Sequence, residues 1–186
     1  KDNPQMVLGA FGQRWDNLDQ VGVTPDECWV ALDRVRDPGN LGTVMRPADA
    51  VGASGLILVG DCTDPCSVEA VRASMGAVFN VRIIACSEAE FLEFTAGWHG
   101  HIIGTALPAA VDYRTADYAG SLIMMMGNEQ AGLTPDLMTA CTQLIKIPML
   151  EIGFVLTSLA TIFANFFVNA FLADLYCNAF KNMNCI

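Results

Sequence analysis

Apolar residues gather in short runs along this chain, at 29–33 (WVALD), 55–59 (GLILV), 81–85 (VRIIA), 101–106 (HIIGTA), 121–127 (SLIMMMG) and 144–147 (LIKI). Most are apolar at successive positions instead of alternating, the pattern of strands buried on both faces of a parallel sheet. The stretches between them carry helix signals. Asn40 is placed to cap a helix over about 41–51. Ser67 is placed to cap a helix over 68–75, with Glu69 early and Arg72 late, as the helix dipole prefers. Ser87 opens another through about Thr95. Thr134-Pro135-Asp136 is a capping residue, a proline at the first helical position and an acid, so a helix starts there. This alternation predicts an α/β fold, a parallel sheet of about six strands with helices on both faces.

The two ends depart from that rhythm. Residues 1–26, punctuated by Gly9, Gly12, Gly22 and Pro25, hold no sustained period and read as a linker or N-terminal extension. Lys1 is not followed by an apolar signal segment, so the expectation is a cytoplasmic chain that begins inside a longer product. Residues 151–186 carry only three charges, Glu151, Asp174 and Lys181. Within them 152–173 is uncharged and, on length alone, could span a membrane. Thr157, Ser158, Thr161, Asn165 and Asn169 lie inside it and no Lys/Arg cluster flanks it, which favours a buried core or interface helix over a span.

Composition narrows the function classes. At 186 residues, with 53% hydrophobic and 16% charged residues, the chain has enough apolar surface for one folded domain and is not disordered. Ten Lys+Arg against twenty Asp+Glu leave a net charge of −10. This balance argues against a self-sufficient basic clamp for nucleic acid, because phosphate binding needs positive charge, but leaves room for a local basic pocket. Seven cysteines, an odd number with no CxxC pair, argue against a disulfide scaffold or zinc site and for reduced, mostly buried thiols. No metal is expected.

Three segments carry chemistry. Asp37-Pro38-Gly39-Asn40-Leu41-Gly42-Thr43-Val44-Met45-Arg46 follows the first strand, where open α/β sheets place ligands. Its glycines do not form the GxGxxG fingerprint of a dinucleotide site; taken alone it is a turn and a surface arginine. Met126-Gly127-Asn128-Glu129-Gln130-Ala131-Gly132-Leu133 ends the fifth apolar run. Gly127 would admit a ligand to the backbone and Glu129 would bring a carboxylate to the same sheet edge, or the segment is a tight turn with a solvated acid. Ile147-Pro148-Met149 is a strand end broken by proline.

In this order and spacing the three resemble the SpoU (TrmH-like) branch of the SPOUT RNA methyltransferases, over roughly residues 27–150. The family pattern is DPxNxGxxxRxA, then GxExxG after an apolar strand, then IPM leading to a Ser-Leu-Asn helix start. This chain supplies DPGNLGTVMRPADAVGA, MGNEQAGLTP and IPM. The resemblance implies a catalytic domain over 27–186, an α/β fold whose C-terminal chain threads a trefoil knot, and S-adenosylmethionine bound in that knot. It also implies a homodimer that methylates a ribose 2′-hydroxyl of tRNA or rRNA, with an N-terminal RNA-binding domain lying outside this chain. The site residues it implies are Asn40, Arg46 and Glu129 for catalysis, and Thr105, Gly127, Ile147, Met149 and Leu156 around the cofactor.

Two departures from the pattern bear on activity. Pro47 follows Arg46 where the family has Ser or Thr, and proline inside a helix disfavours α geometry at the residue before it. The Ser-Leu-Asn of the third motif falls on Val155-Leu156-Thr157, so only the leucine remains. An RNA- or cofactor-binding dimer with impaired catalysis is therefore the alternative to an active methyltransferase.

Overall fold

The computed structural model of the protein describes residues 9–22, 26–106, 111–128 and 130–146. Seven strands form one sheet: β1 (Cys28–Asp33), β2 (Gly55–Val59), β3 (Ile83–Cys86), β4 (His101–Thr105), β5 (Val111–Asp112), β6 (Leu122–Met126) and β7 (Gln143–Lys146). Their order is β3-β2-β1-β6-β4-β7-β5, and every pair is parallel. Each expected run contains a strand, though β3 begins only at Ile83 and Ile147 lies outside the described residues; the addition is β5, whose two residues, Val111 and Asp112, pair with Ile145 and Lys146. A two-residue strand has no period of its own to read.

Alternate residues of each strand feed opposite faces, and both faces are covered. On one, Val30, Leu32, Leu56, Leu58, Ile103, Met124 and Met126 pack with Leu41, Val44, Met45 and Ala48 of helix α1 (Pro38–Ala50). Those helical residues recur at the i, i+3, i+4, i+7 spacing of one helix face. On the other, Trp29, Ala31, Ile57, Ile84, Ile123 and Met125 pack with Phe91 of α3 (Glu88–Ala96) and Leu137 of α4 (Pro135–Ala140). Helix α2 (Val68–Ala73) lies outside α1. Gly42 permits that contact, since a Cβ there would meet the Ala70 carbonyl oxygen and the Ala73 Cβ at 2.5 Å each.

The caps follow local chemistry with one correction. Ser67, Ser87 and Thr134 accept from the backbone N–H three residues on, as expected. Asn40 is not a cap: Asp37 takes that role, its Oδ1 accepting from Asn40 N at 2.6 Å, with Pro38 as the first helical residue. Asn40 is thus inside the first turn. Helix α1 continues through Pro47 to Ala50, so Arg46 stays helical. Helix α2 stops before Met75, whose φ of +51° and the +98° of Gly76 turn the chain away.

Part of the opening stretch packs onto the sheet. Asp16 bridges Ile84 beside β3, and its carboxylate takes Arg82 Nε at 2.5 Å. The Arg82 guanidinium lies over the buried Trp29 ring at 5.0 Å, and Trp29 Nε1 and Gly22 N both donate to Glu27 at 2.7 Å. The threading implied for the C-terminal chain concerns residues past Lys146, outside the described residues, as does the apolar stretch 152–173. Among the described residues no helix is long and apolar enough to cross a membrane.

Candidate active site

Strand β1 lies between β2 and β6, and the chain leaves it toward β2 while β6 leads toward β7. Such a reversal of direction opens a crevice at the C-terminal strand ends, the usual ligand position in an open α/β sheet. The first two motifs border this crevice.

Strand β1 ends at Asp33, a carboxylate 1% exposed. Arg34 follows in the left-handed region, φ +48°, a conformation costly for a residue with a Cβ. Its Nε and Nη2 grip the two oxygens of Asp33, each at 2.8 Å. That hydrogen bond raises the guanidinium pKa further against the opposing desolvation, with the charges of Asp33 and Glu88 adding to it. The chain then enters α1. Asn40 is half-buried in its first turn, and Arg46 lies about 9 Å further along the axis. Arg46 is exposed and takes no hydrogen bond or ion pair among the described residues.

Strand β6 leads into the second motif, which folds tightly on itself. Asn128 and Gly132 exchange backbone hydrogen bonds at 3.2 and 2.9 Å, and Asn128 Oδ1 accepts from the N–H of Gln130 and Ala131 at 3.0 and 3.1 Å. Gly127 has a packing reason to lack a side chain, since a Cβ there would run into the backbone of Gly132 and Leu133. Gly132 itself has φ +68°. Leu133 is buried against Gly104 of β4, and Thr134 donates its hydroxyl to Glu88 at 2.6 Å while capping α4.

The two motifs are tied together. Asn128 Nδ2 donates to the Arg34 carbonyl oxygen at 2.9 Å, and Arg34 Nη2 donates to the Gly132 carbonyl oxygen at 3.1 Å. Asp33, Arg34 and Asn128 were not among the residues expected to build the site. A signal was present, however: Asp33-Arg34 puts two charges directly on the end of an apolar strand.

Thr105 ends β4 in register with Ile145 of β7, and Gly104 sits opposite Met125, one residue before β6 ends. The ends of β6, β4 and β7 therefore lie side by side, with Gly127 and Thr105 at one edge. Glu129, Ile147, Met149 and Leu156 lie outside the described residues.

Four cysteines among the described residues offer no ready nucleophile. Burial pushes the thiols of Cys28 and Cys86 up to about 12 and those of Cys62 and Cys141 up to about 11. The Cys62 thiol donates to the Leu32 and Val59 carbonyl oxygens at 3.5 and 3.4 Å. Among the described residues no cluster of His, Cys, Asp or Glu could hold a metal ion.

Comparison with known proteins agrees with this geometry. The model of the SpoU rRNA Methylase family matches residues 27–155. A 23S rRNA (uridine(2479)-2'-O)-methyltransferase of Streptomyces viridochromogenes is 32% identical over 152 residues, 78% of this chain and 53% of the relative. An AdoMet-bound rRNA methyltransferase of Sinorhizobium meliloti superimposes with a TM-score of 0.85 and 44% identity, covering 91% of this chain and 65% of that one. The SpoU methyltransferase AviRb of Streptomyces viridochromogenes, in complex with the cofactor AdoMet, does so with a TM-score of 0.75 and 29% identity, over 85% and 62% of the two chains. The chain spans about half the length of the curated relatives it matches. Its motifs, its sheet and the match over 27–155 lead to one conclusion: the chain belongs to the SpoU rRNA methylase family.

Proposed function

We propose that residues 27–186 form the catalytic domain of an S-adenosylmethionine-dependent methyltransferase acting on a ribose 2′-hydroxyl of tRNA or rRNA. The observation that carries this reading is the convergence of the DPGNLGTVMR and GNEQAG motifs on the ends of adjacent strands, β1 and β6. The relative that is 44% identical is itself an AdoMet-bound rRNA methyltransferase.

The residues present fit the cofactor. A tight loop closed on Gly127 and the adjoining ends of β4, β6 and β7 offer backbone donors and acceptors beside apolar side chains, as a nucleoside carrying a methionine chain requires. Thr105, Gly127, Ile147 and Leu156 would hold it through backbone groups, with Met149 as an apolar wall. When bound, it supplies a methyl group already activated on a sulfonium. The protein's tasks are to align the hydroxyl and to help its proton leave.

Arg46 cannot act as a base, because a guanidinium stays protonated. As an exposed cation on α1 it is suited to hold an RNA phosphate and to steady the developing alkoxide. Glu129 is the acceptor for the departing proton, and Asn40 orients Arg46 or Glu129. The chain works as a homodimer in the cytoplasm, with an RNA-binding domain supplied from outside residues 1–186. The support for the dimer is the uncharged stretch 152–173, too apolar to lie exposed on a monomer.

A second reading, a cofactor- or RNA-binding dimer without transfer, is favoured by one observation. Val155 and Thr157 stand where the family has Ser and Asn. Labelled S-adenosylmethionine incubated with bulk tRNA and rRNA separates the two: incorporated label supports the enzyme, and binding without incorporation supports the second reading. Absence of cofactor binding at millimolar concentration by the folded chain, or binding of ATP or NAD in its place, overturns the enzyme, and absence of RNA binding as well overturns both.

A further inference from the structure

We propose that Arg34 is a positioning residue for the methyl-transfer reaction, holding the loop that carries Glu129 against the end of β1. The inference rests on the function proposed above. It deepens that function by adding a residue outside the motifs that identify the site.

Arg34 grips the second-motif loop at both of its ends. Its carbonyl oxygen accepts from the Asn128 side chain, and its guanidinium donates to the Gly132 carbonyl oxygen. Glu129 lies in sequence between those two anchor points. The grip is itself held from behind. Asp33, buried at the end of β1, fixes the guanidinium through two hydrogen bonds, so the side chain cannot swing to solvent without leaving a buried carboxylate unpaired.

The backbone of residue 34 points the same way. A left-handed φ at an arginine persists only where its surroundings impose it, and such strain clusters at functional sites. Here the Arg34 N–H is taken by the Val59 carbonyl oxygen of β2 at 2.9 Å, which leaves its carbonyl oxygen to Asn128. A chain of hydrogen bonds thus runs from the core of the sheet to the two residues flanking Glu129 and its neighbours. The loop is anchored once more at its far side, where Thr134 meets Glu88. Reactions that depend on alignment lose rate steeply when a reacting group is misplaced by an ångström. A tether of this kind would act on turnover more than on RNA affinity.

The test is a double-mutant cycle of Arg34→Gln with Glu129→Gln, read on kcat at saturating RNA, with KM for RNA and cofactor affinity measured on each folded variant. Arg34→Gln is expected to lower kcat at least tenfold, with KM for RNA changed less than threefold. In the Glu129→Gln background its effect should shrink to less than twofold. Arg34→Lys, which lacks the forked geometry, should restore only part of the rate. If Arg34→Gln is too unstable to purify, Asn128→Asp removes the amide donor to Arg34 while keeping an oxygen for the N–H groups of Gln130 and Ala131 and leaving Asp33 paired, and the same coupling to Glu129→Gln is expected. Equal effects in both backgrounds, or an unchanged kcat, overturn the proposal. A wild-type chain that binds the cofactor but methylates no RNA overturns the proposed activity instead. The tether is then read by amide exchange. Exchange of residues 130–133 at least tenfold faster in the Arg34 variant, with the sheet unchanged, supports the tether, and unchanged exchange overturns it.

Discussion

The side-chain amide of Asn128 donates to the backbone carbonyl of Arg34 across 94 residues of sequence, at 2.9 Å. The Arg34 guanidinium returns a hydrogen bond to Gly132, four residues beyond Asn128. Through this exchange the loop after β6 and the loop after β1 behave as one unit, and the crevice between them has a defined floor. The first motif carries an exposed cation, Arg46, on α1, and the second brings Glu129 in sequence to the clasped loop.

Replacing that cation separates binding from transfer. Arg46→Ala should lower kcat by about a hundredfold or more, the loss seen when a group stabilising developing negative charge is removed. Calorimetric cofactor affinity should stay within about threefold of wild type, as expected for a role in the transition state. The thermal midpoint should be nearly unchanged, because Arg46 is exposed and has no partner among the described residues. Intact methylation, or lost cofactor binding in a folded variant, would show the role to be misassigned.

The cap and the interior of α1's first turn predict opposite behaviour for two neighbouring residues. Asp37→Ala should cost about 1 kcal/mol in urea unfolding, through loss of the bond from Asn40 N. Asn40→Ala leaves that cap in place, so its effect on methyl transfer should exceed that of Asp37→Ala. Equal stability losses with no kinetic difference would contradict this division.

Gly42 is a stability residue inside a functional motif. Gly42→Ala drives a methyl into the Ala70 carbonyl oxygen and Ala73 Cβ. Overpacking of this kind costs about 1–3 kcal/mol, which a shift in the urea midpoint would register. An unchanged midpoint would mean that α2 moves aside without penalty.

The buried thiols set an alkaline limit. Cys28, Cys62, Cys86 and Cys141 have thiols pushed up to about 11 or 12 by burial, against an ordinary value of 9.0 when unfolded. A raised folded-state value means that their contribution is fully present below the unfolded value and is lost as pH rises through the folded one. Unfolding free energy should therefore fall between about pH 9 and 12, and native alkylation at pH 8 should be slow, since little thiolate exists. Rapid labelling of all four thiols in folded protein would contradict this account.

The stretch 152–173 leads to a prediction about assembly. Detergent-free protein should scatter light with about twice the 20.0 kDa chain mass. A clean monomer would favour a core helix within one chain, and a chain that stays dispersed only in detergent would bring the membrane-span reading forward.

Much of this architecture was legible in the residues alone, wherever the governing interaction is short in sequence. Successive apolar residues announce strands covered on both sides, and β1, β2, β4 and β6 are such strands. Ser67, Ser87 and Thr134 bond to N–H groups three residues on, so a local reading suffices for them. Asp37 and Asn40 are equally good caps by type, and choosing between them depends on where Pro38 starts the helix. The identity of the motifs, and so the family, was also carried by spacing along the chain.

Other features depend on residues that meet only after folding. Strand β5 exists because β7 presents an edge to Val111 and Asp112. Asp16 and Gly22, in a stretch that reads as linker, acquire partners in Arg82 and Glu27 once β3 and β1 are in place. Gly127 looks like a ligand glycine and Gly42 like one more glycine of the first motif, yet the atoms excluding a Cβ belong to the turn at Gly132–Leu133 in the first case and to α2 and the residue after it in the second. Arg34 is an ordinary charged residue in the sequence. Its importance comes from a buried carboxylate beside it and an amide 94 residues away, which hydrophobic periodicity cannot register because the pairing is made by tertiary packing of two strand ends.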